Sequence, residues 1–221
     1  MKQLVLTFYA EGSSDYRFLP IIVQRTADRI LRYAAVAPVE VLQPIVITPD
    51  PTAATHEQRI LSVAQQAAGS HALVLHYDAD SPVADSAYQN RFSSDCRSIQ
   101  ECAQDVCRDL VPVIPVRMTE AWILADVEAF KGVVGTELSA QELGFPRQPH
   151  QVEAILDPKS TLKSALSRVF SRRRRAKKAS APQYYETLSR RISLDNLERV
   201  PAFAQFMGDL RSLLQRLQFA R

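Results

Sequence analysis

The chain has 221 residues, 46% hydrophobic and 23% charged, with a net charge of +3; this predicts a folded protein with one core and an appendage, or two small domains. No apolar run approaches the roughly 20 residues of a membrane span, and no signal-peptide cleavage site follows the first residues. We therefore expect a cytoplasmic protein without a membrane partner. The spacing of Cys96, Cys102 and Cys107 fits neither a zinc site nor a disulfide framework.

The charge is distributed unevenly along the chain. Residues 1–150 carry 12 basic and 18 acidic side chains, a net charge of −6, whereas residues 151–221 carry 15 and 6, a net charge of +9. An acidic body beside a basic segment indicates a polyanionic partner such as nucleic acid. A basic face that is merely solvated remains the alternative.

Four apolar segments have the length and composition of buried strands, and helical patterns separate them. The polar segment 81–94 is rich in Pro, Ser, Asp and Asn and is expected to be a loop. Strand–helix alternation with short connections predicts an α/β fold whose four-stranded parallel sheet is flanked by helices. The strands are predicted at 3–10, 39–48, 71–77 and 111–116, and the helices at about 13–34, 55–68 and 95–110.

The pattern changes after about residue 136, where strands are no longer predicted. Asp157 and Pro158 are suited to the N-cap and the first position of a helix, and the chain ends in an amphipathic run from Ala202 to Phe219. We therefore expect an α/β domain over residues 1–135 and a basic, helical C-terminal extension over residues 136–221.

Acidic residues directly follow two of the predicted strands. Glu11 follows the first strand, and Asp78 and Asp80 follow the third. Because ligands of open α/β sheets bind at the carboxyl ends of the strands, we expect these three carboxylates to converge. Such carboxylates repel one another unless a cation lies between them, and an all-oxygen ligand set suits Mg²⁺ or Mn²⁺. The alternative is a pair of solvated turns.

Two residues near these carboxylates are expected to be structural. Trp122, the only tryptophan, lies in an apolar helix and is expected to pack in the core rather than stack on a base. His76 is expected to face away from Asp78.

Arg117 leaves a buried strand close to the carboxylates, where it could pair with an acid or contact a phosphate.

A tract in the C-terminal extension places six positive charges in seven residues. Such a run is usually solvated, but it would also give strong, salt-sensitive binding to nucleic acid. Tyr184 and Tyr185 follow it and could stack on bases or pack in the core. The basic residues are Arg172, Arg173, Arg174, Arg175, Lys177 and Lys178.

Several motifs together resemble the TOPRIM fold of topoisomerases, primases and OLD-family nucleases, and more specifically the bacterial TOPRIM-like family DUF4276. The resemblance spans nearly the whole chain. The most specific part is the Glu-Ala-Trp segment combined with the Asp-x-Asp. The matching motifs are Glu11-Gly12-Ser13-Ser14-Asp15 with Phe18-Leu19, His76-Tyr77-Asp78-Ala79-Asp80, the segment from Arg117 to Asp126, Asp157-Pro158-Lys159, and Ile192 to Asp195 followed by Pro201 to Phe206.

The resemblance implies metal-dependent phosphodiester chemistry, most plausibly a nuclease, with a role in anti-phage defence beside a partner ATPase. It implies that Glu11 is a metal ligand or general base, that Asp78 and Asp80 hold the metal, and that Glu120 completes the site. A carboxylate such as Glu120 at a helix start is also what the helix dipole alone favours. Asp15 and Asp126 could supply further acidic ligands, or they could be a first-turn and a surface carboxylate, and the surface role is favoured for Asp126. Arg117 or Lys159 could supply a basic residue.

Two other functions remain open at this point. The chain could be a non-catalytic module that binds nucleic acid or senses a signal and acts through a partner such as an ATPase. A phosphotransferase acting on a small nucleotide is less favoured, because the chain has six glycines and no glycine-rich phosphate loop. The oligomeric state is not predicted.

Overall fold

The central element is a sheet of four parallel strands. The computed structural model describes residues 1–10, 12, 14–79, 84–171 and 181–221, and it is 56% helical. The strands of this sheet are β2 (Leu6–Ala10), β4 (Ile45–Val46), β5 (Ala72–His76) and β6 (Leu110–Val113), in the order β4-β2-β5-β6. A separate parallel pair is formed by β1 (Lys2–Leu4) and β3 (Val39–Val41).

The two central strands, β2 and β5, are buried along their whole length, as expected for strands covered by helices on both faces. All four predicted strand regions contain strands. The first predicted strand is divided at Val5 into β1 and β2, and the second is divided between Val41 and Ile45, where Pro44 lacks the N–H that a strand ladder requires.

Helices cover both faces of the sheet. Helix α1 (Leu19–Ala34) begins later than predicted, because a 3₁₀ turn at Asp15–Arg17 precedes it. Helix α2 (His56–Gln66) begins at a capping box formed by Thr55 and Gln58. The chain leaves this helix through Gly69, whose φ of 85° is readily adopted by glycine.

The predicted loop at 81–94 is wrong over the residues that the structure describes. The chain forms α3 (Asp85–Ala87), a π-helical turn (Tyr88–Phe92) and α4 (Ser93–Glu101). Phe92 is 6% exposed and lies edge-on to Tyr77, with ring centroids 6.5 Å apart. Burial of this aromatic side chain stabilises a helix that the polar composition does not favour.

Helix α4 is shorter than the predicted helix at 95–110. Its C-cap, Cys102, is extended, and the Arg108 side chain donates a hydrogen bond to the Cys102 carbonyl. Cys107 then donates its backbone N–H to the Ala64 carbonyl at the end of α2. The chain therefore crosses back towards β6 in an irregular conformation rather than as a helix.

The residues after about 136 that the structure describes are mainly helical, as predicted. Asp157 accepts a hydrogen bond from the Ser160 N–H at 2.8 Å, so it caps the helix that Pro158 begins. The predicted boundary between an α/β domain and a C-terminal extension, at residues 135 and 136, remains a prediction. The helices are α5 (Glu120–Ile123), α6 (Val127–Val134), α7 (Ala140–Leu143), α8 (Pro158–Ser171), α9 (Tyr185–Arg191), α10 (Leu194–Glu198) and α11 (Pro201–Arg216), with 3₁₀ segments at Pro149–Ala154 and Ala181–Tyr184.

Alternating strand residues divide the core into two clusters. Phe8 and Val74 belong to the cluster that contains α1 and the C-terminal helices, whereas Tyr9 and Leu75 belong to the cluster that contains α2 and α4. Trp122 is fully buried, with its ring 5.2 Å from that of Phe203, which confirms the expected packing role. None of the helices described is long and apolar enough to cross a membrane.

Candidate active site at the carboxyl ends of the strands

Three connections meet at the carboxyl edge of the sheet. The turn after β2 carries Asp15, the end of β5 carries His76 and Asp78, and the segment after β6 carries Thr119 and Glu120. This is the edge at which parallel α/β sheets bind ligands.

His76 lies in contact with Asp78, so the expectation that it faces away is wrong. Its Nε2 lies 3.4 Å from Asp78 Oδ1 and 3.3 Å from Thr119 Oγ1. Residues two apart on an extended chain point to the same side, and that period would have placed the two side chains together. The His76 side chain is 2% exposed and that of Asp78 is 37% exposed. His76 therefore lies beneath Asp78 and in contact with it, without a hydrogen bond to Asp78 Oδ1.

Asp15 lies in the same network and is 5% exposed. Burial raises the pKa of its carboxyl, and the nearby charge of Asp78 raises it further, whereas the charge of His76 and a hydrogen bond from Thr119 lower this pKa. A Cβ atom at Gly12 would lie 2.2 Å from Asp15 Oδ2. Only glycine therefore lets the chain after β2 approach this carboxylate so closely.

Glu120 begins α5 and is 4% exposed. Its Oε1 accepts a 2.6 Å hydrogen bond from the Tyr185 hydroxyl, which comes from α9. Burial, this hydrogen bond and the charges of Glu120 and Asp15 raise the pKa of Tyr185 well above its ordinary range. Tyr185 is therefore a neutral donor in the core rather than a base-stacking group, and it connects the C-terminal region to the site.

Arg91 is a basic residue at this edge that was not predicted. Its guanidinium lies 4.8 Å from the centre of the Tyr77 ring, and its Nη1 lies 3.5 Å from the Asp78 carbonyl oxygen. The Tyr77 hydroxyl donates to Asp95, which also pairs with His56 at 2.9 Å. Because Arg91 lies in the segment predicted as a loop, its sequence position gave no sign of this contact.

The other described candidates are Arg117, Lys159 and Asp126. Arg117 has a φ of 64°, and its buried Nε has no hydrogen-bond partner among residues 1–10, 12, 14–79, 84–171 and 181–221. Lys159 is exposed in the first turn of α8. Asp126 is buried, caps α6 through the Ala129 N–H and accepts a 2.8 Å hydrogen bond from the Ser193 N–H. The expectation that Asp126 is a surface carboxylate is therefore wrong, because its side chain is only 6% exposed and caps a helix.

The remaining candidates lie outside the described residues, and their predicted roles stay predictions. They are Glu11, Asp80, Arg172, Arg173, Arg174, Arg175, Lys177 and Lys178.

The side chains at this edge meet part of what a divalent cation requires. Within the described ranges, no three His, Cys, Asp or Glu side chains are close enough together to hold a metal ion. Asp78 Oδ1 is nevertheless buried and has no hydrogen-bond partner in this part of the chain, and all the carboxylates at this edge offer the oxygen atoms that Mg²⁺ prefers. The donor chemistry of these carboxylates suits a divalent cation, but the described residues alone do not supply a complete ligand set.

The fold and this site define an α/β protein with a carboxylate-lined edge. A family model described as a domain of unknown function, DUF4276, matches residues 10–211. Because this match covers most of the chain, the protein belongs to the DUF4276 family. Searches of the curated proteins and of the solved structures each found no match.

Proposed function

We propose that this protein is a Mg²⁺- or Mn²⁺-dependent nuclease that hydrolyses phosphodiester bonds of DNA or RNA. The observation that carries the proposal is that Asp15, Asp78 and Glu120 lie on three different connections at the carboxyl edge of a parallel sheet, although these described residues alone do not form a metal cluster. Burial of two of these carboxylates in a protein core is unfavourable unless a partner or a cation compensates their charge. A divalent cation fits this requirement, and a bound cation would in turn attract a phosphate group.

The cation, when bound, would neutralise the charge of the phosphate and lower the pKa of a water molecule. In this proposal Glu11, Asp78, Asp80 and Glu120 hold it, and Glu11 is also the candidate general base. His76 packs beneath Asp78, with Nε2 3.4 Å from Oδ1, and Tyr185 holds Glu120 through its hydroxyl. The contacts from His76 and Tyr185 hold these two carboxylates in place before the substrate binds.

We propose that basic side chains bind the phosphate groups of the substrate. Arg91 lies beside Asp78, and Arg117 leaves β6 towards the same edge. The basic tract is the sequence feature that best suits a nucleic-acid backbone. It consists of Arg172, Arg173, Arg174, Arg175, Lys177 and Lys178, with Lys159 as a further contact.

The biological setting is proposed from the resemblance to TOPRIM-like proteins. In this setting the protein is a cytoplasmic effector of anti-phage defence that acts beside an ATPase. An ATPase encoded by a neighbouring gene would support this assignment.

A cleavage assay tests the proposed reaction. Purified protein with Mg²⁺ or Mn²⁺ should cut a single- or double-stranded substrate, and Glu11→Gln and Asp78→Asn should each abolish cutting, because an amide is a poorer metal ligand and cannot act as a base. Glu186→Gln is the matched control, because Glu186 is exposed and pairs with Arg190 on α9. Cutting that survives both substitutions would assign the activity to other residues or to a contaminant. A wild-type protein that binds nucleic acid without cutting it would instead favour the non-catalytic module.

A further inference from the structure

A cavity lies away from the carboxylate edge, between α1, the end of α9 and the start of α10. Its volume is about 480 Å³, within the range of small-molecule sites. Four arginines and two aspartates line it, so its lining carries net positive charge. The cavity involves the part of α1 from Arg25 onwards, and Arg32 lies about 20 Å along the helix from its first residue at a rise of 1.5 Å per residue. It is therefore a separate site.

Two of the four arginines form the fixed wall of the cavity. Arg25 donates from Nη1 to the Ser189 carbonyl and from Nη2 to the Ile192 carbonyl, at 2.5 and 2.8 Å. These carbonyls lie at the end of α9, where a cation is favoured by the helix dipole. Arg29 pairs with Asp195 and with Glu198 of α10. The charges of Arg25 and Arg29 are thus already compensated by the protein.

The other two arginines retain donors for a ligand. Arg32 is exposed, and its charge is only partly offset by Asp28, one helical turn earlier. The Arg191 side chain is exposed, lies beside Gly132 of α6, and makes no side-chain hydrogen bond or ion pair with the described residues. A guanidinium offers paired N–H donors that match the oxygens of a phosphate. Arg32 and Arg191 therefore suit an anion with several oxygens.

An aromatic ring lies beside these two charges. Tyr33 follows Arg32, lines the same cavity and is 82% exposed. Such exposure of a large ring leaves a face on which a planar heterocycle can stack. The cavity thus combines two guanidinium groups, an exposed ring and a small concave volume. This combination suits a phosphate attached to a nucleoside better than an extended nucleic-acid strand.

We propose that this cavity binds a free nucleotide, with its phosphate on Arg32 and Arg191 and its base on Tyr33. The proposal does not depend on nuclease activity at the carboxylate edge.

Isothermal titration calorimetry with AMP, adenosine and inorganic phosphate tests this binding. AMP should bind more tightly than either adenosine or phosphate, because only AMP offers both contacts. Arg32→Ala/Arg191→Ala should weaken AMP binding at least about tenfold, since it removes two charged hydrogen-bond donors. Tyr33→Ala should weaken binding of AMP but not of phosphate.

Arg190→Ala is the matched control, because Arg190 adjoins Arg191 but pairs with Glu186 outside the cavity. It should change AMP affinity less than about twofold, as expected for an exposed charge away from the ligand. Asp78→Asn should also bind AMP normally, which separates this proposal from the proposed nuclease. The absence of AMP binding, an equal loss in Arg190→Ala, or displacement of AMP by a lower concentration of an oligonucleotide without terminal phosphates would overturn it.

Discussion

The Tyr185 hydroxyl donates a 2.6 Å hydrogen bond to Glu120 Oε1. The two residues are 65 positions apart in the chain, and both are at least 95% buried. This contact joins α9 of the C-terminal region to the segment that follows β6. The C-terminal helices therefore complete the surroundings of the candidate site in addition to covering the sheet.

Tyr185→Phe should reduce stability, because it keeps the ring but leaves a buried carboxylate oxygen without its donor. The expected loss in the free energy of unfolding is about 1–3 kcal/mol, measured by urea denaturation. Tyr184→Phe is the matched control, since Tyr184 is only partly buried and stacks on Phe170 through its ring. Equal stability of Tyr185→Phe and the wild type would show that the hydrogen bond makes no net contribution.

Gly12→Ala should be destabilising by about 1–3 kcal/mol, because the added Cβ would lie 2.2 Å from Asp15 Oδ2 and must displace this carboxylate. Gly12→Ala/Asp15→Ala should recover part of the loss, since the second change removes the clashing oxygen. Gly208→Ala in α11 meets no atom within 4 Å and should be neutral or stabilising. Thermal and urea unfolding of the three variants would measure this coupling. If the unfolding free energy of the double variant is no higher than the sum of the two single changes predicts, the two residues are not coupled and the predicted clash is contradicted.

Asp15→Asn should change how stability depends on pH. Burial raises the pKa of Asp15 in the folded state above its ordinary value of 3.8, so the folded protein binds this proton more tightly than the unfolded chain does. This contribution to stability is present at low pH and is lost as the pH rises through the folded-state pKa. Asparagine does not ionise, so the variant should gain stability over the wild type at neutral pH.

The gain of Asp15→Asn should shrink as the pH falls towards 3.8, where Asp15 of the wild type is protonated in both states. Urea unfolding at a series of pH values, without divalent cations, gives the comparison. A stability difference that is constant with pH would show that Asp15 ionises equally easily in both states.

Replacing Arg172, Arg173, Arg174 and Arg175 with alanine should weaken nucleic-acid binding and flatten its salt dependence, because fewer counterions are released on binding. The melting temperature should not change. The measurement is the slope of log affinity against log salt concentration, by fluorescence anisotropy. An unchanged slope would identify the tract as a solvated segment without phosphate contacts.

Local patterns predicted the parts of the fold that depend on local chemistry. The apolar run at 71–77 predicted β5, and Asp157-Pro158 predicted the start of α8. Where a distant side chain decides the conformation, the pattern failed. Phe92 makes the predicted loop helical by packing on Tyr77, a contact that polar composition does not reveal.

The candidate site was predictable to a similar extent. The position of Asp78 at a strand end follows from the strand pattern, and the period of two would also have placed His76 beside it. Tyr185 could not be predicted, because its partner is 65 residues away and lies on a different element. Nothing in the local sequence of either residue encodes their contact.

Calorimetric titration of Mn²⁺ into the protein tests most directly whether the carboxylates form a cation site. The wild type should bind Mn²⁺ saturably, and Asp78→Asn should weaken binding at least about tenfold, because it removes a charged ligand oxygen. Glu186→Gln, which removes an exposed carboxylate of α9, should bind like the wild type. A wild type that takes up no Mn²⁺, or an Asp78→Asn variant that binds it as tightly, would contradict the account.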